Sequence, residues 1–340
     1  MDLKFAPEQD ELRSIFTAML EKHCGPEAVR EAEPLGFDDN LWGRVCEVGL
    51  SGLGVAEAQG GSGGGFLDLA VVAEACGRSL APVPFVEAPV AARIVEAVGG
   101  AGLAAILEGA PVTFAPLPGL DGVARLAPFG AIAPWVVALD GDQLVLVGNS
   151  AKRAVIPNLG NVALSDVPLR ADLGATSVEV LAKGDDARKA FARGQAEWRI
   201  LLAAALTGLA ARALEIGVDY AKERKQFGVP IGSFQSVAHE LANVATEVDG
   251  ATLLWQEAAW AWGADEASGP KLSHMAFVNA TEVAMRSAEA SLHFHGGYGF
   301  MLEYDIQLYV RRAKAWPKAG GSRRFAVAAM ADELYGKGKA

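Results

Sequence analysis

The chain has 340 residues, enough for two or three domains and a sizeable core. Half of it is hydrophobic (51%), yet no uninterrupted apolar run reaches the roughly 20 residues a bilayer span needs, and the acidic start MDLKFAPEQDELRS has no apolar signal core. A net charge of −11 and a pI near 5.0 argue against nucleic acid or an anionic membrane as partner, so a soluble, cytoplasmic protein is expected.

In chain order, Asp10 to His23 reads as an amphipathic helix, with Leu12, Ile15, Phe16, Met19 and Leu20 on one stripe. Trp42, Val45, Val48 and Leu50 continue the pattern in a second helix. Gly60 to Gly65 is glycine-rich, but it lacks the Lys-Ser/Thr of a phosphate loop and follows no apolar strand. Leu67 to Cys76 and Val86 to Val98 are two further helices, so residues 1–108 form a helical domain. Cys24, Cys46 and Cys76 are odd in number, lack metal spacing and sit in apolar helix patterns, as buried reduced thiols do.

The texture changes at Pro111. Val112-Thr113-Phe114, Trp135 to Leu139, Gln143 to Val147, Val155-Ile156 and Val178 to Leu181 are short β-rich runs, and Asp140-Gly141-Asp142 is a hairpin signal. Residues 109–184 are therefore expected to be a small, short, β-barrel-like middle domain. From 185 to 340 the chain is helical again. Leu202, Leu206, Leu209, Ala213 and Gly217 mark one long helix, and Leu241, Val244, Val248, Ala251, Trp255, Ala258 and Trp262 mark the next. Two more, at about 271–294 and 323–335, complete a four-helix bundle. Trp255, Trp260 and Trp262 are expected between helices or protomers.

Between the first two bundle helices lies YAKERKQFGVPIGSFQ, Tyr220 to Gln235. Pro230 and Gly232 force a turn there, and the turn presents an arginine, an aromatic ring and an amide. That trio suits an anionic, planar ligand, with the guanidinium for phosphate and the ring for stacking; a solvated turn is the other reading.

Arg224-Lys225-Gln226-Phe227-Gly228 followed by Phe234-Gln235 resembles the turn of the C-terminal domain of FAD-dependent acyl-CoA dehydrogenases. His295-Gly296-Gly297-Tyr298-Gly299-Phe300 resembles that family's G-G-x-G-[FY] loop, and Arg311-Arg312-Ala313-Lys314 its R-D-A-K. Gly49 to Val55, Gly60-Gly61-Ser62-Gly63 and Glu74-Ala75-Cys76-Gly77-Arg78 resemble its N-terminal motifs. The resemblance implies a helical domain, a small β domain and a helical bundle in that order. It also implies α,β-dehydrogenation of acyl-CoA thioesters, with FAD as cofactor and an electron-transfer flavoprotein as acceptor. Carried over residue by residue, it puts Arg224, Gln226, Phe227, Gln235, His293, Gly296, Gly297 and Ser322 at the FAD adenosine and pyrophosphate of a neighbouring subunit. Arg199 falls at a position near the CoA cleft. Bland readings stand beside these: a helix cap for Gly296 and Gly297, a cap for Ser322, and a bundle ion pair for Arg199.

The sequence also departs from the family. The catalytic glutamate that follows R-D-A-K falls on Gly320 here. The alternative base position, just before an arginine 25 residues ahead of Arg224, falls on Trp198. Glu197 is adjacent, but one step along a helix turns a side chain by about 100°, so a displaced base there competes with a surface or helix-end charge. Residues 109–184 also lack the family's flavin-covering segments, and Asn149-Ser150 is a poor echo of its hairpin. These absences resemble the short, base-lacking subunit of heteromeric steroid-degradation acyl-CoA dehydrogenases, which pairs with a full-length homologue as α2β2. The alternatives are a self-sufficient homotetramer with a displaced base, or a non-catalytic acyl-CoA-binding relic.

Overall fold

The computed structural model describes residues 5–148, 153–321 and 323–336. Ser322 and the Asn149-Ser150 pair fall outside them. The chain begins with helices α1 (Pro7–His23), α2 (Pro26–Ala32), α3 (Asp39–Glu47), α4 (Phe66–Arg78), α5 (Glu87–Val98) and α6 (Leu103–Leu107). Strands β1 (Val112–Phe114), β2 (Val123–Ala127), β3 (Trp135–Asp140), β4 (Gln143–Gly148), β5 (Ser165–Pro168) and β6 (Ser177–Lys183) follow. The last part comprises α7 (Gly184–Glu223), a two-residue hairpin of β7 (Lys225–Gln226) and β8 (Val229–Pro230), α8 (Gln235–Gly263), α9 (Gly269–His295), α10 (Ile306–Ala315) and α11 (Arg323–Tyr335). Helical, β, helical is thus the observed order.

No closed barrel forms among the described residues. β1, β3, β4 and β6 make one open sheet in that order, with β1 parallel to β3 and the other pairs antiparallel. β2 and β5 form a separate antiparallel ribbon. The Asp140–Gln143 hairpin closes β3 on β4 where Asp-Gly signals it. Val155-Ile156 is not a strand, and α2, α10 and the β2–β5 ribbon were not foreseen.

Side chains alternate across the sheet as the period of two requires. Val137, Leu139, Leu144 and Leu146 join the helical core, while Val136, Ala138, Val145 and Val147 pack with Ala124, Ala127, Val167 and Leu169 of the ribbon. A single hydrophobic core runs from Phe16 and Leu20 of α1 through α4 and α7 to Ala326 of α11.

Helix α7 is the axis of the molecule. At about 1.5 Å per residue its 40 residues span about 60 Å. From Ile200 to Ala210 every residue is buried, the mark of a helix surrounded on all sides. By length and composition it is apolar enough to cross a membrane, but 72% of its most apolar window is buried inside the protein. Its approach to α4 is set by two glycines. A Cβ on Gly77 would stand 2.0 Å from the Ala205 carbonyl oxygen, and one on Gly208 would stand 2.1 Å from that of Glu74.

Candidate functional site

The two sequence positions at which a catalytic carboxylate was sought, 198 and 320, meet in space. A Cβ placed on Gly320 would come within 2.5 Å of the Trp198 indole, so that ring fills the room a larger side chain at 320 would need. Trp198 is buried, tilts against Phe277 and donates its indole N–H to Glu87 Oε1 at 3.1 Å. Glu87 opens α5 from a run in which only it and Arg93 carry charge between Leu80 and Val95. Burial pushes its pKa up to about 7, against the Trp198 hydrogen bond that favours the ionised form. Sequence reasoning missed Glu87. The available signal was a lone carboxylate in an apolar run, which has to be paired or functional.

Glu87 lines a partly open pocket of 320 Å³, bounded by Leu80, Phe85, Leu126, Phe129, Leu159, Leu202 and Trp316, with Asn158, Asn161 and the buried Arg312 also in its wall. Lys314 and Lys318, both exposed, line this cavity and also an open groove of 780 Å³ between α9, α10 and α11. They therefore stand where the interior meets the surface.

Glu197 is not the surface charge that one of its readings expected. It is 1% exposed, and both its oxygens are engaged. Arg93 binds it two-pronged, Nε to Oε2 at 3.0 Å and Nη2 to Oε1 at 3.0 Å, and the Trp262 indole N–H donates to Oε1 at 3.1 Å. Arg93 also donates to the Gly54 carbonyl at 2.6 Å. Burial alone would lower the Arg93 pKa, but the Glu197 carboxylate outweighs it and the net direction is upward. Glu197 does not line the Glu87 pocket. To act as a base it would have to leave Arg93 unpaired in the interior, so the geometry makes it a structural partner.

Arg199 turns away from the Trp198 side. It is largely buried against α9, donates to the Ser273 hydroxyl at 3.3 Å, and has no carboxylate within 4.0 Å among the described residues. The expected ion-pair cap is therefore absent, and burial lowers its pKa to about 10, offset in part by Glu333. It lines a separate cavity of 510 Å³ with Arg193, Asp265, Glu266, His274 and Glu333.

At the far end of α7, Arg224 leaves the helix and the chain makes the β7–β8 hairpin. Phe227 and Gly228 both take positive φ, +54° and +83°, the type I′ pattern of a two-residue loop. Holding a phenylalanine in that region is costly, and the ring is 93% exposed. The Arg224 guanidinium lies 5.8 Å from the Tyr298 ring centroid, beside Gly296 and Gly297. Nothing stands within 4 Å of where a Cβ would sit on either glycine. Gln226, Phe227 and His293 line one open groove of 760 Å³ together with Phe234 and Phe294. Gln235 opens α8, exposed, and does not line that groove. His295 is buried, stacked on Tyr220 at 3.9 Å, with Nδ1 2.7 Å from the Ser291 carbonyl oxygen.

Family models and relatives agree with this architecture. The acyl-CoA dehydrogenase N-terminal domain matches residues 6–102, and the C-terminal domain matches residues 190–335. The acyl-CoA dehydrogenase IpdE2 of Mycolicibacterium smegmatis is 32% identical over 339 residues, covering 96% of this chain and 99% of that protein. The chain belongs to the acyl-CoA dehydrogenase family. IpdE2 of Mycobacterium tuberculosis is 31% identical over 351 residues, covering 96% of this chain and 98% of its own length. Among solved structures, the Tcur3481-Tcur3483 steroid ACAD G363A variant superposes with a TM-score of 0.84 at 25% identity, over 96% of this chain and 97% of that one. The ChsE4-ChsE5 complex from Mycobacterium tuberculosis shares the fold, with a TM-score of 0.86 at 24% identity over 98% and 99% of the two chains.

Proposed function

We propose that this chain is the subunit of a heteromeric acyl-CoA dehydrogenase that completes the FAD site of a full-length partner, and that the partner supplies the catalytic base. The observation that carries this reading is the Trp198 indole packed on Gly320, because one side chain closes both places where the family's base could stand. Two similar solved structures are named for pairs of proteins, which supports a heteromeric arrangement. The relatives' names support acyl-CoA thioesters from lipid or steroid breakdown as substrates; an electron-transfer flavoprotein as acceptor follows from the family resemblance alone.

The exposed hairpin has the chemistry an FAD adenosine diphosphate requires. Arg224 has no carboxylate within 4.0 Å among the described residues, and it offers a planar fork for the pyrophosphate. The uncovered backbone at Gly296 and Gly297 lets a ligand approach closely. Phe227, Gln226 and His293 give the neighbouring groove a ring, an amide and an imidazole for the adenosine. Bound FAD supplies the hydride acceptor of the dehydrogenation. This chain's residues bind and orient it and exclude water from its adenosine end.

Flavin counting on the chain alone and on the complex co-expressed with a full-length homologue tests the proposal. The expected result is little or no flavin on the chain alone and one FAD per pair of unlike subunits in the complex. In that complex Arg224→Ala should weaken FAD retention by about 10- to 150-fold, the worth of a hydrogen bond to a charged group. Lysine should rescue it only in part. Stoichiometric flavin on a homo-oligomer of this chain would favour the self-sufficient enzyme instead.

A further inference from the structure

The cavity behind Trp198 is more than space left by a missing base. Its wall is apolar over Leu80, Phe85, Leu126, Phe129, Leu159 and Trp316, and its 320 Å³ reaches the lower end of the range of small-molecule sites. Among the described residues Glu87 is the one carboxylate that lines it. Oε1 of that group accepts from Trp198, and among the described residues no other side chain hydrogen-bonds to the carboxylate. At the mouth, Lys314 and Lys318 lie four residues apart on one side, and neither has a carboxylate within 4.0 Å among the described residues. A pocket whose apolar wall carries the buried Glu87 as its one carboxylate and sets Asn158, Asn161, the buried Arg312, Lys314 and Lys318 elsewhere in the lining is asymmetric in a way a packing void is not.

We propose that this cavity is a ligand site in its own right for a compact apolar acid, whose anionic end sits at Lys314 and Lys318 and whose inner end offers a hydroxyl to Glu87. The site lies wholly within this chain. It goes beyond the completion of a partner's FAD and does not depend on it. The apolar body gains by leaving water, the lysines hold the carboxylate, and the hydroxyl adds a hydrogen bond to the Glu87 carboxylate beside the one from Trp198.

Two probes of equal length separate recognition by Glu87 from non-specific apolar binding: octanoate and 8-hydroxyoctanoate, titrated by calorimetry into the purified full chain. The expected result is saturable binding of both, with the hydroxy acid about tenfold tighter. Glu87→Leu should abolish or invert that preference, and Lys314→Ala with Lys318→Ala should weaken both probes alike. Glu87→Gln, which keeps an oxygen for the Trp198 N–H, serves the same purpose if the leucine variant does not fold, and should reduce the preference. Absence of binding at millimolar probe would overturn the proposal. So would a preference that neither Glu87 variant changes. Loss of turnover in a co-expressed Glu87→Leu complex whose probe preference is intact would overturn it as well, and would make Glu87 a catalytic carboxylate.

Discussion

Glu87 and Glu197 are both buried acids of the same interior, but they are held in opposite ways. Glu197 faces two guanidinium groups, those of Arg93 and Arg193, and an indole N–H, whereas Glu87 accepts from one indole N–H between mostly apolar walls. Glu197→Gln keeps the shape and strands the Arg93 charge, which has 17% side-chain exposure. Breaking a buried pair in this way typically costs about 3–5 kcal/mol, which urea unfolding at pH 7 would register. A loss below about 1 kcal/mol would mean that Arg93 relaxes to solvent. For Glu87 the sign is set by a folded pKa of about 7 against an ordinary 4.5. The folded state holds a proton that the unfolded state has lost, so stability falls as pH rises from 4.5 through 7 and is flat beyond. The difference corresponds to about 3 kcal/mol. Glu87→Gln should remove that slope, leaving stability near pH 5 almost unchanged and raising it at pH 8; equal effects at both pH values would refute the shifted titration.

Among the elements, α4 and α7 meet backbone on backbone at Gly77 and Gly208. Gly208→Ala would press a methyl against the Glu74 carbonyl oxygen, which neither helix can move without disturbing a buried layer. The expected cost is about 1–3 kcal/mol, seen as a lowered melting temperature. The long helices were legible because their apolar residues recur by three and four over many turns. α2 has only seven residues, too few to show a period. α10 hid behind its charged motif, although Ile306, Tyr309 and Ala313 point inward at helical spacing. β2 carries Leu126 at positive φ and a register break between Ala124 and Ala127, so its alternation is lost. The hairpin trio was visible as a local motif. The Trp198–Gly320 contact and the cavity were not, because they join residues more than a hundred positions apart.

At the scale of the whole molecule, apolar side chains gather outside the core where α7 ends. Phe227, Phe300 and Leu302 are each more than 70% exposed, on the hairpin and on the turn that follows α9. Of the two expected places, between helices or between protomers, Trp255 takes the first, stacked on Phe5 inside this chain, and of the three bundle tryptophans Trp260 is the most exposed. Clustered exposed apolar residues mark contact surfaces. Phe227→Ser combined with Leu302→Ser should therefore lower the sedimentation coefficient of the co-expressed complex while the isolated chain melts unchanged. An intact complex would place the interface elsewhere.

Trp198 lies on α7 and Arg224 caps its end, 26 residues and about 39 Å of rise away. Over that distance substitutions at the two ends act independently. Natural selection can then treat them as separate inheritances. A change that alters the interior around Trp198 can be inherited without altering the hairpin, and a change in the hairpin without altering the interior.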